Sequence, residues 1–227
     1  MTGGYADLPL IEQAIRTFAA LILVSSFALL AQARVVAAIQ MFAWQGFLLA
    51  ALTAMVAWNA GLPHLYISAA LTLVLKALFI PWLLTRQARR LGILRDFDAV
   101  IRPGLTLLAA GALVLFCYNV VIPVRQFAQV ATRDAIAVSL ALVMIALLML
   151  ITRRKAITRV VAFMSLENGL FFSAVTATQG MPMVVELGIA FDVLIAAVIF
   201  GVFFFHIRDS IDSLDVDQLS RLREHDE

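Results

Sequence analysis

The chain has 227 residues, of which 63% are hydrophobic and 14% charged, and a formal net charge of +2. Soluble domains are roughly half apolar and a quarter charged, so this chain carries more apolar side chain than a water-soluble fold can hide, and so small a positive charge gives no basis for a nucleic-acid partner. Its single cysteine, Cys117, sits inside an apolar run, which excludes a disulfide framework and a Cys-ligated zinc or iron–sulfur site.

The apolar residues fall in blocks of about 17 to 25, the length that a helix rising 1.5 Å per residue needs to cross a hydrocarbon layer about 30 Å thick. An all-α membrane protein of about seven spanning helices is expected, at 12–32, 35–58, 65–85, 104–122, 134–152, 156–178 and 184–206. Asp7 and Glu12 precede the first cation, Arg16, unlike the basic start of a cleaved leader, so the first helix is expected to be retained. Breaks at Asn59-Ala60-Gly61-Leu62-Pro63 and Thr178-Gln179-Gly180-Met181-Pro182 separate spans. Pro103 suits a first helical turn, Pro123 closes the fourth span, and a basic cluster ends the fifth.

Alternate connections hold Arg34, then Arg86, Arg89, Arg90, Arg95 and Arg102, then Arg153, Arg154, Lys155 and Arg159, then Arg208, Arg221 and Arg223. The other side holds Arg16, Arg125 and Arg133. Lys and Arg collect in cytoplasmic loops, so the N-terminus is expected outside and the C-terminus in the cytoplasm. Leu91, Leu94, Phe97 and Ile101 share a helical face, as do Ile211, Leu214 and, less neatly, Leu222. These two cytoplasmic segments read either as solvated linkers, or as interfacial helices or docking strips for a partner subunit.

Ionisable residues inside the spans carry the functional signal. Glu167 and Lys76 each lie roughly 16 Å into their helices, near the midplane, and Asp192 lies about 12 Å from the outer end of the last span. A charge at such depth costs about 2.5 to 3.5 kcal/mol on insertion scales, so it is paired, neutralised or set against a watery cavity, and by default it marks a functional site. The alternative is helix glue, for instance an ion pair of Lys76 with Glu167 or Asp192.

Ser165, Gly169, Ser173 and Thr176 gather on one face of the sixth span, a small-residue pattern of close packing. Glu167 points almost the other way, with Phe163, Met164, Leu170 and Phe171, and on this count it faces a neighbouring subunit. Asp192 has Gly188 and Ala196 four residues to either side, leaving space for water or a partner side chain. Ser68, Thr72 and Lys76 form a polar track in the third span, where Pro81 removes the backbone bond to the Ala77 carbonyl and loosens the turn. Gln45, at the midplane of the second span, fits packing and proton relay equally. Glu186, at the outer end of the last span, is a candidate mouth for a path.

No HExxH, GxSxG, Walker or GxGxxG pattern is present, so no hydrolytic, nucleotide or dinucleotide site is expected, and neither is a cofactor, a metal or a catalytic residue. His64 and His206 lie at opposite membrane faces and His225 lies in the tail, which does not suit axial ligation of one haem.

The two ends of the chain echo each other. Gln45-Gly46-Phe47-Leu48 with Lys76 corresponds to Glu167-Asn168-Gly169-Leu170 with Asp192, each set following a preceding span. Two weakly similar, parallel three-helix units follow, the first with its basic loop at 1–103 and the second at 134–207. A connecting helix and outer loop fill 104–133, and a tail fills 208–227.

At Leu166-Glu167-Asn168-Gly169, at Val185-Glu186-Leu187-Gly188-Ile189-Ala190 with Asp192, and at Leu214-Asp215-Val216-Asp217-Gln218-Leu219, the chain resembles component E of hydrogenase-4 and related formate hydrogenlyase complexes, and Lys76 fits as well. The last three helices of that family are similar to the K subunit of respiratory complex I and to the C subunit of multisubunit cation/proton antiporters.

The resemblance implies a non-catalytic, multi-pass subunit of the bacterial inner membrane. Its implied neighbours are antiporter-like and helical anchor subunits, with a nickel–iron hydrogenase module beyond them. Two intramembrane glutamates of the K subunit join a lateral chain of charged residues used in proton pumping. Glu167 matches the first, while Asp192 falls on the helix of the second with a side chain one methylene shorter, and Gln45 has no charge. A path for protons or sodium through Lys76, Glu167 and Asp192 is therefore expected. A cation/proton antiporter subunit and a pure membrane scaffold are the alternatives.

Overall fold

A computed structural model describes residues 10–61, 63–90, 103–122 and 130–177, together with 188, 193–195 and 198. The described elements are helical: α1 (Leu10–Ala31), α2 (Val35–Ala60), α3 (Pro63–Thr72), a π-helical segment (Leu73–Phe79), α4 (Ile80–Arg90), α5 (Pro103–Val121), α6 (Val130–Thr152) and α7 (Ala156–Ala177). Five helical stretches are long and apolar enough to cross a membrane: Glu12–Ala31, Val35–Asn59, Leu65–Arg90, Gly104–Val121 and Asp134–Thr152. The chain is a multi-pass membrane protein by that measure. The expected seventh span lies largely outside the described residues, as do both expected amphipathic segments. By contacts the chain divides into two compact units at Asp192 and Val193, and of the second only 193–195 and 198 are described, as helix.

Local sequence accounts for the boundaries. α2 ends on Gly61, whose left-handed backbone (φ 64°, ψ 28°) lets its N–H bond the Ala57 carbonyl, a geometry that costs glycine little. α5 opens on Pro103, where a missing N–H costs nothing. The third span runs from α3 through the π segment into α4. Its backbone remains right-handed at Thr72 and Ile80, and the Ile80 N–H bonds the Leu75 carbonyl five residues back. Pro81 cannot donate to Ala77, so the ladder must be rerouted just before it, and the wider π turn does this.

α1 and α6 run parallel. Arg16 near the start of α1 lies 3.6 Å from Asp134 near the start of α6, and Arg153 just past the end of α6 donates to the Leu30 carbonyl near the end of α1 at 2.7 Å. The connections at 32–34 and 153–155 are short, so α2 returns beside α1 and α7 beside α6. α2 and α7 are consequently parallel to each other, and they pack together as α1 and α6 do.

These helices and α3 share a core that includes Ile22, Leu49, Leu52, Leu65, Leu142 and Phe172. Large apolar side chains such as Trp44, Ile67, Leu108, Leu115 and Ile151 face outward, as lipid as a solvent permits. α6 and α7 meet closely at Gly169, where an added Cβ would stand 3.0 Å from Leu142 Cβ and 3.2 Å from the Val143 nitrogen. Gly169→Val is expected to destabilise the bundle by about 1 to 3 kcal/mol through overpacking, read as a lower melting temperature of the detergent-solubilised chain, whereas Ser173→Ala on the same face leaves melting nearly unchanged.

Candidate functional site

Lys76 occupies the middle of the π segment and is fully buried. Its backbone lies against α2 at Gly46, where a Cβ would fall 2.9 Å from Lys76 Cβ and 3.1 Å from the Lys76 carbonyl carbon. Such an approach needs a residue without a side chain. From there the lysine reaches α7. Nζ donates to Glu167 Oε2 at 2.5 Å and stands 5.2 Å from the centre of the Phe171 ring, within cation–π range. The Glu167 side chain is only 8% exposed, so the two opposite charges neutralise each other away from solvent.

This corrects the expectation that Glu167 faces a neighbouring subunit. On its face of α7, Met164 and Phe171 are buried while Phe163 and Leu170 are 37% and 55% exposed, so Glu167 stands at the border of the core. An α-helical projection of α7 alone cannot show which way such a border residue turns. The partner amine decides it, because inward rotation exchanges an unpaired charge in apolar surroundings for an ion pair.

Gln45, one residue before the Gly46 that lies against Lys76, is fully buried. Its Nε2 donates to Ser26 Oγ on α1 at 2.7 Å, and its Oε1 accepts from Ser165 Oγ at 3.0 Å and from Asn168 Nδ2 at 3.1 Å on α7. The Ser26 hydroxyl in turn donates to the Ile22 carbonyl at 3.1 Å. One amide thus joins three helices. The Gln45–Asn168 bond joins the two short segments that echo each other in the sequence.

Ser68 and Thr72 are buried with Lys76, as the polar track requires. Thr72 Oγ1, Glu167 Oε1 and Asn168 Oδ1 are buried without a hydrogen-bond partner among the described residues. Asp192 and Glu186 lie outside the described residues, and so do His206 and His225. Among the described residues no three of His, Cys, Asp and Glu gather to hold a metal.

Sequence reasoning did not single out Ser26, Phe171 or Arg153 as parts of a polar framework. The adjacent pair Ser25-Ser26 in an otherwise apolar span was the available signal for the first, since serine in a spanning helix either back-bonds or bridges. The arrangement can hold a proton on either member of a buried acid–base pair, and it can hold helices together.

Removing one member of the pair separates its cost from that of the hub. Lys76→Met is expected to destabilise the bundle by roughly 3 to 5 kcal/mol by stranding Glu167, and the double variant Lys76→Met with Glu167→Leu to recover most of that, measured by thermal melting. Gln45→Leu is expected to cost about 1 to 2 kcal/mol, smaller because the stranded groups are neutral.

No family model and no solved structure matches the chain. An uncharacterised protein of Mycobacterium tuberculosis is 32% identical over 189 residues, covering 83% of this chain and 86% of that protein. Hydrogenase-4 component E of Escherichia coli and of Shigella flexneri is 26% identical over 182 residues, covering 80% of this chain and 84% of those proteins. Over most of each chain, then, this apolar helical bundle is similar to hydrogenase-4 component E.

Proposed function

We propose that the chain is a non-catalytic membrane subunit of a hydrogenase-4 or formate hydrogenlyase-like complex, and that it contributes Lys76, Glu167 and Asp192 to a redox-coupled path for protons or sodium. It holds no cofactor of its own, and electron transfer belongs to a nickel–iron module in the partners. The observation that carries the reading is the buried Lys76–Glu167 pair in a chain similar to hydrogenase components. An acid and a base at hydrogen-bond distance in apolar surroundings can change protonation together without leaving a lone charge, which is what a relay through a membrane needs.

The parallel packing of α1 on α6 and of α2 on α7 supports two similar three-helix units, and the alternation of cation-rich and cation-poor connections supports seven spans with the N-terminus outside and the C-terminus in the cytoplasm of the bacterial inner membrane. Gln45 sits in this path as a bridge between units, and Glu186 as a mouth. In a complex reconstituted with intact assembly, Glu167→Gln and Asp192→Asn are expected to abolish redox-driven proton uptake while partner redox activity with artificial acceptors persists. Uptake at the unmodified level would refute the path.

The ion pair also favours a second reading, a scaffold in which the charges only hold helices. The double variant Lys76→Met with Glu167→Leu decides between them: an assembled complex that no longer moves protons supports the path, and one that still does supports the scaffold. Purification with or without a nickel–iron protein separates a hydrogenase subunit from a subunit of a cation/proton antiporter.

A further inference from the structure

The third span ends in an exposed stripe whose chemistry changes along its length. In α4 the residues Ile80, Leu83, Leu84 and Ala88 are buried on one side. At about 100° per residue, Trp82, Arg86, Arg89 and Arg90 fall together on the other side, and all four are exposed. Phe79, 40% exposed, continues the stripe toward the middle of the span, with its ring stacked on Trp82 at 6.2 Å between centres. Arg86 stands over the same indole, its Cζ 5.3 Å from the ring centre.

Depth gives this order a meaning. With Lys76 near the midplane and a rise of about 1.5 Å per residue, Trp82 lies roughly 9 Å from the midplane, Arg86 roughly 15 Å and Arg89 and Arg90 roughly 20 Å, while half of the hydrocarbon layer is about 15 Å thick. Apolar ring, indole and guanidinium thus follow the order of acyl chain, glycerol and phosphate in a phospholipid. A cation–π contact uses none of the five N–H donors of arginine, so the indole steadies the Arg86 head and leaves its fork able to bond phosphate oxygens. The charge is of the matching sign. Between Glu12 and Asp96 the sequence has no Asp or Glu. Arg34, exposed at the start of α2, adds a further cation at this edge, since α2 and the third span run antiparallel across the short break at Gly61.

We propose that this stripe is a binding site for an anionic phospholipid, with the arginines of α4 on the phosphate and an acyl chain along Trp82 and Phe79. The site is independent of the Lys76–Glu167 pair, which lies on the buried side of the same span. Arg154, exposed at the turn between α6 and α7, offers the same charge at the same edge on another part of the bundle, and so separates a site from general surface charge.

The test is native mass spectrometry of the full chain released from nanodiscs made of phosphatidylglycerol and phosphatidylcholine in equal amounts. The wild-type chain is expected to retain phosphatidylglycerol in preference. Arg86→Gln with Arg89→Gln is expected to reduce that preference by about fivefold for each charge removed, and Trp82→Leu by about threefold with every charge in place. Arg154→Gln is expected to leave it within about twofold. These side chains are exposed, so the variants are expected to melt as the wild type does. Equal retention of both lipids by the wild type, the outcome if a protein segment covers the stripe, would overturn the inference. A loss in Arg154→Gln as large as that for each arginine of α4 would overturn it too, because it points to surface charge alone. Displacement of the lipid by soluble glycerol phosphate at the same concentration would overturn the assignment to a lipid, because the chains then contribute nothing.

Discussion

A lysine amine in the middle of a membrane helix must be neutralised, and much of the described bundle is arranged around the way Lys76 achieves this. Its partner is 91 residues away in the chain, so helices from both ends of the sequence have to meet at the midplane. Gly46 permits the contact by letting the Lys76 backbone settle against α2, the π turn before Pro81 presents the side chain from that position, and Phe171 offers its ring face to the amine. Each of these features is minor alone. Together they convert a residue that the bilayer disfavours into a fixed link between the two parts of the chain.

Around that link the polar contacts repeat a pattern. α1 and α6 lie parallel with an ion pair at one end and a side-chain-to-carbonyl bond at the other, and the α2 and α7 amides meet between them. In hydrocarbon, helices gain little from burying apolar surface against each other, so small residues and satisfied polar groups define which faces meet. Gly46 and Gly169 set close approach on two different helix pairs, and Gln45 fixes three helices with one side chain. The charged pair and the neutral hub thus occupy consecutive positions on α7, Glu167 and Asn168, each turned toward a different neighbour.

Much of the fold was legible because membrane helices write their length in apolar residues and their ends in Gly, Pro and basic clusters. The breaks at Gly61 and Pro103 and the loosened turn before Pro81 all appear where the residues demand them. The observed helices overrun their expected limits, α4 to Arg90 and α6 back to Val130, because amphipathic turns continue a helix past the hydrocarbon edge that hydropathy detects. The pairing of Lys76 with Glu167 was legible only as one of several partners for each charge. The inward turn of Glu167 was not, since its neighbours one turn away divide evenly between buried and exposed, and only the three-dimensional position of the amine breaks the tie. Ser26 was marked only by the Ser25-Ser26 pair in an apolar span, and Arg153 carried no sequence signal of its bridging role, which depends on what stands across from it.

The bond from Arg153 to the Leu30 carbonyl spans 123 residues of chain. A ribosome adding about 5 to 20 residues per second needs roughly 6 to 25 s to supply the guanidinium after Leu30 has been made. For that interval the carbonyl near the end of α1 lacks its final partner and depends on water or headgroups at the membrane edge. The first helix of this protein therefore enters the bilayer long before it is locked in place, and the order of synthesis makes the later helices the clasp of the earlier ones.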